Sequence, residues 1–271
     1  FRRVLFRSNL HCHILPGIDD GAVDLDASLA MARIAVADGI TMIACTPHIY
    51  PGLYENTAVG IRAAIKSLQQ HLDSAGIGLR LTQGADVHLT PDLLADLRAD
   101  RIPTLNGSRY FLLEPPHHVA PPRFEDHVFR LLANGYVPLI THPERLTWIE
   151  DHYPIFLRLT KAGAWLQITA GALTGRFGKR PRYWSQRLLD EGPVHIIATD
   201  AHSVNRRPPL LAEARSMAAR QVGEAEAWAM VRDRPAGIID NLAAERIRPQ
   251  LAEGKPRVGV TSILRRWFAR S

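Results

Sequence analysis

The stretch NLHCHILPGIDDG (residues 9–21) begins as a short apolar run, ends in polar residues and is followed by a helical pattern. The same succession of apolar run, polar loop and helical pattern recurs along the chain. Short continuous apolar runs are typical of strands that are buried on both faces of a parallel sheet. The sequence therefore predicts seven strands, at residues 9–15, 40–46, 79–87, 109–114, 136–141, 165–169 and 194–199.

Helical patterns separate the predicted strands. Residues 24–37 carry Leu25, Leu29 and Val36 at helical spacing, and Gly39 follows just beyond their end. Strands that alternate with helices are typical of βα units and a parallel sheet. Because no domain linker interrupts the seven units, we predict an α/β fold, a (β/α)7 barrel over residues 9–243. The other predicted helices are residues 57–72, 91–97, 124–133, 153–162, 181–190, 210–220, 222–231 and 235–242.

The two ends of the chain stand apart from this pattern. Residues 1–8 match nothing in it, and we expect them to be disordered or foreign to the domain. The helical pattern fades from about Ala244, so residues 244–271 are expected to form a loosely ordered basic tail. Much of the formal net charge of +6 lies in these two segments. A basic tail can touch an anionic membrane surface, and peripheral contact through it stays open.

Composition argues against several classes of protein. No apolar run approaches the roughly 18–20 residues that span a bilayer, so we expect no transmembrane segment. Cys12 and Cys45 are the only two cysteines, which argues against a disulfide framework and favours the cytoplasm. Basic and aromatic residues are not interleaved inside the chain, so we expect no nucleic-acid partner.

Imidazole and carboxylate side chains follow six of the seven predicted strands. The carboxyl ends of the strands meet at one face of a parallel barrel, so these side chains are expected to lie close together. His11 and His13 are two residues apart and point to the same side of a strand, and Asp200 and His202 repeat this spacing. The full set is His11, His13, Asp19, Asp20, His48, Asp86, His88, Glu114, His142, Glu144, Asp200 and His202.

Each of these side chains taken alone is more often structural than a ligand. Asp200 can cap a helix, for example, and Asp19-Asp20-Gly21 can be a plain turn. Buried imidazoles and carboxylates in this number, however, need a strong compensating charge, which several divalent cations supply. Zinc, manganese and iron prefer such a mixture of ligands, and the sequence predicts a metal site at the carboxyl ends of the strands.

The chain resembles the polymerase-and-histidinol-phosphatase (PHP) superfamily in residues 11–22, in Thr46-Pro47-His48, in His142-Pro143-Glu144-Arg145 and in Thr199-Asp200-Ala201-His202. Residues 167–178, QITAGALTGRFG, are similar to one subfamily in particular, the bacterial protein-tyrosine phosphatases of capsule and exopolysaccharide synthesis. The resemblance covers roughly residues 9–242. It implies a distorted barrel of the PHP type and a metal-dependent phosphomonoester hydrolase. The implied substrate is phosphotyrosine on a protein, such as the cognate tyrosine kinase.

The resemblance also implies three divalent metals, with manganese expected and iron or zinc as alternatives. A water activated by the metals would attack phosphorus. The implied ligand sets are His11, His13 and Asp200; Asp86, Glu114 and His142, with Asp86 bridging the first two metals; and Asp19 (or Asp20), His48 and His202.

The implied catalytic residues are two arginines and a proton donor. Arg145 and Arg206 (or Arg207) are expected to hold phosphate oxygens. A surface salt bridge is the alternative for these arginines, and for Arg207 the two interpretations are equally good. His202 or Asp200 would give a proton to the leaving phenolate.

Other phosphate chemistry is disfavoured. A thiolate phosphatase needs an Arg six residues after its Cys, and Ile18 stands there after Cys12. Cys12 also alternates to the strand face opposite His11 and His13. The chain has no Walker-type phosphate loop, which disfavours nucleotide hydrolysis.

Two positions depart from the family, and two alternatives to a protein-tyrosine phosphatase stay open. Asn9 stands where the family usually has Asp, and Asp86 stands where it usually has Glu. One alternative is therefore a regulatory PHP protein that has lost its metals. The other is a PHP phosphatase for histidinol phosphate or another small phosphomonoester. The loop at residues 169–181 is rich in Gly, Arg and Lys, which suits an open site for an anionic peptide better.

Overall fold

Parallel strands form the centre of the molecule in the computed structural model, which describes residues 7–247. They lie in two sheets, one with the order β1-β2-β4 and one with the order β3-β5-β6-β7-β8-β9. The strands are β1 (Arg7–Cys12), β2 (Ile40–Cys45), β3 (His48–Ile49), β4 (Arg80–Gln83), β5 (Asp86–His88), β6 (Tyr110–Glu114), β7 (Val137–Thr141), β8 (Trp165–Thr169) and β9 (Val194–Ala198).

Backbone hydrogen bonds join the first strand to the last and close the barrel. Asp200 N donates to His11 O at 2.9 Å, and His13 N donates to Ala201 O at 2.9 Å. β2 and β3 occupy one position around the barrel, and β4 and β5 occupy the next. Within the described residues the barrel therefore has seven strand positions. The predicted α/β barrel is confirmed.

Helices and short helical turns connect the strands. Side-chain hydrogen bonds cap the N-termini of the first two helices. Asp24 Oδ1 accepts a hydrogen bond from Ala27 N at 2.8 Å, and Thr57 Oγ1 accepts one from Gly60 N at 3.2 Å. The helices are α1 (Leu25–Ala37), α2 (Ala58–Ser74), α3 (Leu93–Arg98), α4 (Phe124–Ala133), α5 (Ile149–Ala162), α6 (Ala170–Leu173), α7 (Lys179–Glu191), α8 (Ala212–Val222), α9 (Glu224–Trp228), α10 (Arg234–Ile239) and α11 (Ala244–Ile247), with a π-helical turn at Ala229–Asp233 and 3₁₀ turns at Leu105–Gly107 and Pro143–Arg145. Within residues 7–247 no helix combines the length and the apolar character that crossing a membrane requires.

The interior of the barrel is apolar at one end and polar at the other. Leu112 of β6 and Trp165 of β8 are fully buried in an apolar cluster to which strands from all sides contribute. Because side chains alternate along a strand, the next residues on the same face are Glu114 and Gln167. The alternation that packs the apolar end thus brings polar side chains to the carboxyl end.

Several predicted boundaries are wrong. The predicted strand 79–87 is two strands, because the chain changes sheet at residues 84–85: β4 pairs with β2, whereas β5 pairs with β3 and β6. The predicted helix 222–231 is interrupted at Gly223, whose φ of +88° ends α8 before α9 begins. The predicted helix 153–162 begins earlier, at Ile149, and includes Pro154.

The segments expected outside the barrel also begin differently. Arg7 and Ser8 belong to β1, although the sequence analysis placed them in the leading segment. Ala244–Ile247 forms α11 rather than loose tail, and Ala244 is buried. Residues 1–6 and 248–271, including most of the basic tail, lie outside the described residues.

Replacing Gly84 with Ala is expected to destabilise the protein by about 1–3 kcal/mol. A Cβ at this position would lie 2.9 Å from Leu105 Cδ2 and 3.0 Å from Thr46 Cγ2, so the barrel wall would have to shift. Equilibrium urea unfolding measures the effect. Gly78→Ala is the matched control, because a Cβ there meets no atom within 4 Å. Equal losses of stability in the two variants would contradict this packing argument.

Candidate metal centre

The first group of ligand atoms lies where the barrel closes. His11 and His13 leave the end of β1 with their Nε2 atoms 3.2 Å apart. Asp200, just after β9, places Oδ1 3.2 Å from His11 Nε2 and 3.4 Å from His13 Nε2. The backbone bonds that close the barrel hold these three side chains together. His11, His13 and Asp200 meet as the sequence predicted.

Hydrogen bonds from neighbouring side chains orient the two imidazoles. Gln167 Oε1 lies 2.8 Å from His11 Nδ1, and Asp19 Oδ2 lies 2.7 Å from His13 Nδ1. These oxygens hold the Nδ1 atoms, so each ring turns its Nε2 towards the shared point. This arrangement is typical of histidines that bind metals.

A second group surrounds Glu114 at the end of β6. His88 Nε2 lies 2.6 Å from Glu114 Oε2, and His142 Nε2 lies 3.4 Å from Glu114 Oε1. His117, in the loop after β6, places Nε2 3.2 Å from Glu114 Oε1. Asp86 lies between this group and the first, with Oδ2 3.3 Å from His11 Nε2. That position is consistent with the bridging role implied for Asp86.

A third group contains Asp20, His48 and His202. Asp20 Oδ1 lies 3.5 Å from His48 Nε2 and 3.3 Å from His202 Nε2. Asp19 does not face these atoms, because its carboxylate accepts from His13, from Gly21 N at 2.9 Å and from His48 N at 3.2 Å. The structure therefore brings Asp20, the alternative to Asp19, to this group.

The carboxylate of Asp86 provides a test of whether metals fit. Asp86 is fully buried, and within the described residues neither of its carboxylate oxygens has a hydrogen-bond donor. Nδ1 of His48 and Nδ1 of His142 are also buried without a hydrogen-bond partner in this part of the chain. Leaving a buried carboxylate without donors is costly, and a bound cation would remove that cost. The donors present fit divalent metals that accept nitrogen and oxygen ligands.

The pKa values of His142 and Asp200 suit metal binding, whereas that of His13 opposes it. Burial lowers the pKa of His142 to about 4, and Arg145 adds to the effect, so this imidazole is neutral near pH 7. Burial opposes ionisation of Asp200, but His11, Arg207 and Arg145 together hold its pKa well below the usual range. Burial also opposes protonation of His13, yet hydrogen bonds to Asp19 and Asp200 raise its pKa to about 10. A cation at His13 must therefore displace a proton.

Two arginines converge beside the metal ligands. Arg145 Nη1 and Arg207 Nη2 both donate to Asp200 Oδ2. Their guanidinium carbons lie 5.1 Å and 5.8 Å from the ring centroid of Phe177. Arg206 is exposed and, within residues 7–247, its guanidinium makes no ion pair or hydrogen bond. The structure thus brings Arg207 to the cluster, whereas Arg206 lines a neighbouring cavity.

Two of the six non-glycine residues with a positive φ within residues 7–247 lie in the ligand cluster, each just after a strand. His142 has a φ of 34° and Asp200 a φ of 49°, in the left-handed region that non-glycine residues rarely adopt. Strained residues of this kind cluster at functional sites. Glu144, one turn further, faces away from the metal ligands and accepts from Thr169 N at 2.8 Å, which ties the turn that carries Arg145 to β8.

Asn9 and Cys12 both have supporting positions. Asn9 Nδ2 donates to Thr199 Oγ1 at 2.6 Å, and Thr199 N donates to Asn9 Oδ1 at 2.9 Å, so Asn9 fixes the chain beside Asp200. Cys12 is fully buried, and burial raises the pKa of its thiol well above the ordinary value. A buried neutral thiol is a poor nucleophile.

His88 was among the side chains expected at the strand ends but received no ligand role, and His117 and Gln167 were not predicted for the site. His88 follows Asp86 by two residues, so strand alternation indicated that both face the same side. Gln167 follows Trp165 by two residues on β8, so the same alternation indicated that both side chains face one side of that strand. His117 lies in an irregular loop, and no periodicity in the sequence pointed to it.

The barrel and the ligand cluster place the chain in the class of α/β barrels that carry metal-ligand side chains at the carboxyl ends of their strands. Residues 8–240 match the family model described as capsular polysaccharide synthesis, CpsB/CapC. The chain belongs to this family.

Relatives of known name agree with this membership. The tyrosine-protein phosphatase YwqE of Bacillus subtilis is 38% identical over 199 residues, which cover 73% of this chain and 78% of YwqE. The putative tyrosine-protein phosphatase CapC of Staphylococcus aureus is 32% identical over 75% of this chain and 80% of CapC. The tyrosine-protein phosphatase CpsB of Streptococcus pneumoniae is 28% identical over 85% of this chain and 97% of CpsB.

Solved structures show the same fold. A chain from the crystal structures of YwqE and CpsB, described as unique metal-dependent tyrosine phosphatases, superposes with a TM-score of 0.84 at 33% identity. The superposition covers 87% of this chain and 95% of that chain. Dihydropyrimidinase from Brevibacillus agri superposes with a TM-score of 0.51 at 11% identity, which is a likeness of fold alone.

Proposed function

We propose that this protein is a metal-dependent protein-tyrosine phosphatase of polysaccharide synthesis. The observation that carries the proposal is the convergence of imidazoles and carboxylates around Asp86, a buried carboxylate without hydrogen-bond donors. Membership of the CpsB/CapC family, and the activity named for its relatives, support the choice of phosphotyrosine as substrate.

Three divalent metals, with manganese as the expected ion, would be held by the three groups of ligand atoms. When bound, they would lower the pKa of a water nucleophile and neutralise the charge of the phosphoryl oxygens. The proposed ligands are His11, His13 and Asp200; Asp86, Glu114 and His142; and Asp20, His48 and His202.

The arginines beside the metal ligands bind the phosphate in this proposal. Arg145 and Arg207 share the Asp200 carboxylate, and Phe177 packs against both guanidinium groups. Guanidinium groups bind phosphate oxygens in a bidentate manner. The ring of Phe177 limits their movement, which reduces the entropy lost when phosphate binds.

His202 is assigned to the metal ligands in this proposal and not to proton transfer. Its Nδ1 lies 3.0 Å from Asp200 O, and its Nε2, the atom that would bind a cation, faces Asp20. A tyrosine phenolate is a good leaving group with a pKa of about 10, so its departure depends more on the metals and the arginines than on a proton donor.

The partner and the location follow from the same proposal. The protein substrate is a phosphotyrosine protein, and the tyrosine kinase of the same polysaccharide pathway is the proposed one. Cys12 and Cys45 are free and buried, which is compatible with a reducing compartment, and we place the activity in the cytoplasm.

Replacing Arg207 with Gln is expected to lower kcat/KM for an aryl phosphate by about a hundredfold, because a charge-assisted contact with the phosphoryl group is lost. Arg206→Gln is the matched variant, and its effect on the same small substrate is expected to stay within about threefold, since Arg206 does not reach Asp200. Steady-state kinetics with p-nitrophenyl phosphate makes the comparison. A larger loss of kcat/KM in Arg206→Gln than in Arg207→Gln would show that Arg206 binds the phosphate.

The proposed function is tested with the full chain loaded with Mn²⁺. A phosphotyrosine peptide is expected to be hydrolysed with a kcat/KM at least about tenfold above that for histidinol phosphate. Preference for histidinol phosphate would instead support the small-molecule alternative. Full metal loading without turnover of either substrate would support a regulatory protein.

A further inference from the structure

A second cavity adjoins the candidate metal centre. It encloses about 330 Å³ and is open to solvent. The loop between α6 and α7 forms one wall, with Arg176 and Phe177, and the loop after β9 forms the other, with Arg206 and Arg207. We call this cavity the flanking pocket.

Arg207 and Phe177 connect the flanking pocket to the metal centre. Both residues line the pocket, while Arg207 also donates to Asp200 Oδ2 and packs on the ring of Phe177. A peptide whose phosphate is held at Arg145 and Arg207 therefore places the residues next to the phosphotyrosine beside this pocket.

The charge of the flanking pocket is only partly compensated. Arg176 and Arg206 are exposed, and within residues 7–247 neither forms an ion pair. Arg207 pairs with Asp200, a carboxylate that it shares with Arg145, and Glu213 is the acidic residue in the lining. Arg176 and Arg206 against Glu213 leave at least one positive charge, which a carboxylate would reduce.

The segment that carries Arg176 adds to this positive character. Residues 170–189 contain five Lys and Arg residues and no Asp or Glu. The first turn of α7 contains no acidic residue, although acidic residues are favoured there by the helix dipole. Arg187 pairs with Glu191, and Arg180 donates to the carbonyl oxygens of Leu146 and Thr147. Within residues 7–247 the guanidinium of Arg176 has no such partner, and an anionic ligand would supply one.

We propose that the flanking pocket is a specificity subsite for one carboxylate side chain of the substrate, placed close to the phosphotyrosine. The inference rests on the proposed function and adds to it a preference for phosphotyrosine in an acidic sequence context. Arg207 takes part in both the subsite and the metal centre, because it contacts Asp200. Arg176 lines the subsite, and the structure records no contact between it and the candidate metal ligands.

The test compares phosphotyrosine peptides that differ by a single Glu or Gln, moved through the positions on both sides of the phosphotyrosine. In at least one position the Glu peptide is expected to have a kcat/KM about threefold to tenfold above that of the Gln peptide, as expected for an ion pair at a protein surface. High salt is expected to reduce this ratio, because the charges are exposed.

The variant Arg176→Gln is expected to bring the Glu-to-Gln ratio close to one and to leave hydrolysis of p-nitrophenyl phosphate unchanged. Arg33→Gln removes the same charge from an exposed position on α1 and is expected to keep the ratio of the native chain.

Three outcomes would overturn the inference. Equal rates for Glu and Gln peptides at every position, with phosphotyrosine still hydrolysed, would remove the subsite and leave the proposed function intact. A larger gain from a second phosphotyrosine than from Glu, also lost in Arg176→Gln, would show that the pocket binds phosphate instead of carboxylate. No hydrolysis of any phosphotyrosine substrate by the metal-loaded protein would overturn both proposals.

Discussion

The variant Asp86→Asn is expected to lose more than about a hundredfold in kcat, beyond the ten- to hundredfold loss typical of residues that only support metal ligands. Asp86 lies between the first two groups of ligand atoms. His11 Nε2 is 3.3 Å from its Oδ2, but within the described residues neither of its oxygens accepts a well-aligned hydrogen bond. An amide cannot supply the negative charge that two neighbouring cations need. The measurement is turnover of an aryl phosphate together with the metal content per chain.

Two companion variants make the Asp86 result specific. Asp92→Asn is the same chemical change at an exposed position six residues further on, and it should leave activity and metal content unchanged. Asp86→Glu keeps the charge and restores the residue usual in the family, so it should retain metal. Full activity and metal content in Asp86→Asn would refute the bridging role.

Removing metals from the full chain is expected to abolish activity and to lower Tm by about 10 °C. A ligand present at a thousandfold excess over its Kd stabilises the folded state by about 4 kcal/mol, and each kcal/mol shifts Tm by about 2–4 °C in a domain of this size. The metal-free protein must also keep carboxylates and imidazoles buried without cations. Calorimetry before and after treatment with EDTA measures the shift, and Mn²⁺ should restore it.

The Asp86→Asn variant provides the internal comparison for metal removal. EDTA should lower the Tm of Asp86→Asn by less than it lowers the Tm of the native chain, because the variant binds fewer metals before EDTA is added. If EDTA leaves the Tm of the native chain unchanged, the buried cluster is stable without cations, and the metal centre proposed for it is wrong.

Local patterns in the sequence were sufficient for the barrel and for most of the candidate ligands. Apolar runs such as 165–169 and 194–199 specify buried parallel strands, and residues at their carboxyl ends must meet at one face. His11 and His13 needed only the two-residue repeat of a strand to be paired. The seven strand positions of the barrel were therefore predicted, although nine strands occupy them. The ligand roles implied by the family resemblance are now proposals with a defined geometry.

Tertiary structure alone decided between neighbours that look alike in the sequence. Asp19 and Asp20 are adjacent carboxylates, but hydrogen bonds from His13, Gly21 N and His48 N occupy the first and leave the second facing His202. Arg206 and Arg207 are likewise adjacent, and the course of the loop after β9 turns one to solvent and the other to Asp200.

By itself the sequence determined the class of fold, the carboxyl-end location of the site and the types of ligand, because strand period and burial are local properties of the chain. Only the tertiary structure decided which carboxylate faces which imidazole, that His117 joins Glu114, and that the basic loop at Arg176 borders a pocket. Apart from the contact between Glu114 and His117, three residues later, those contacts join segments far apart in the chain, and their distances depend on how the whole barrel closes.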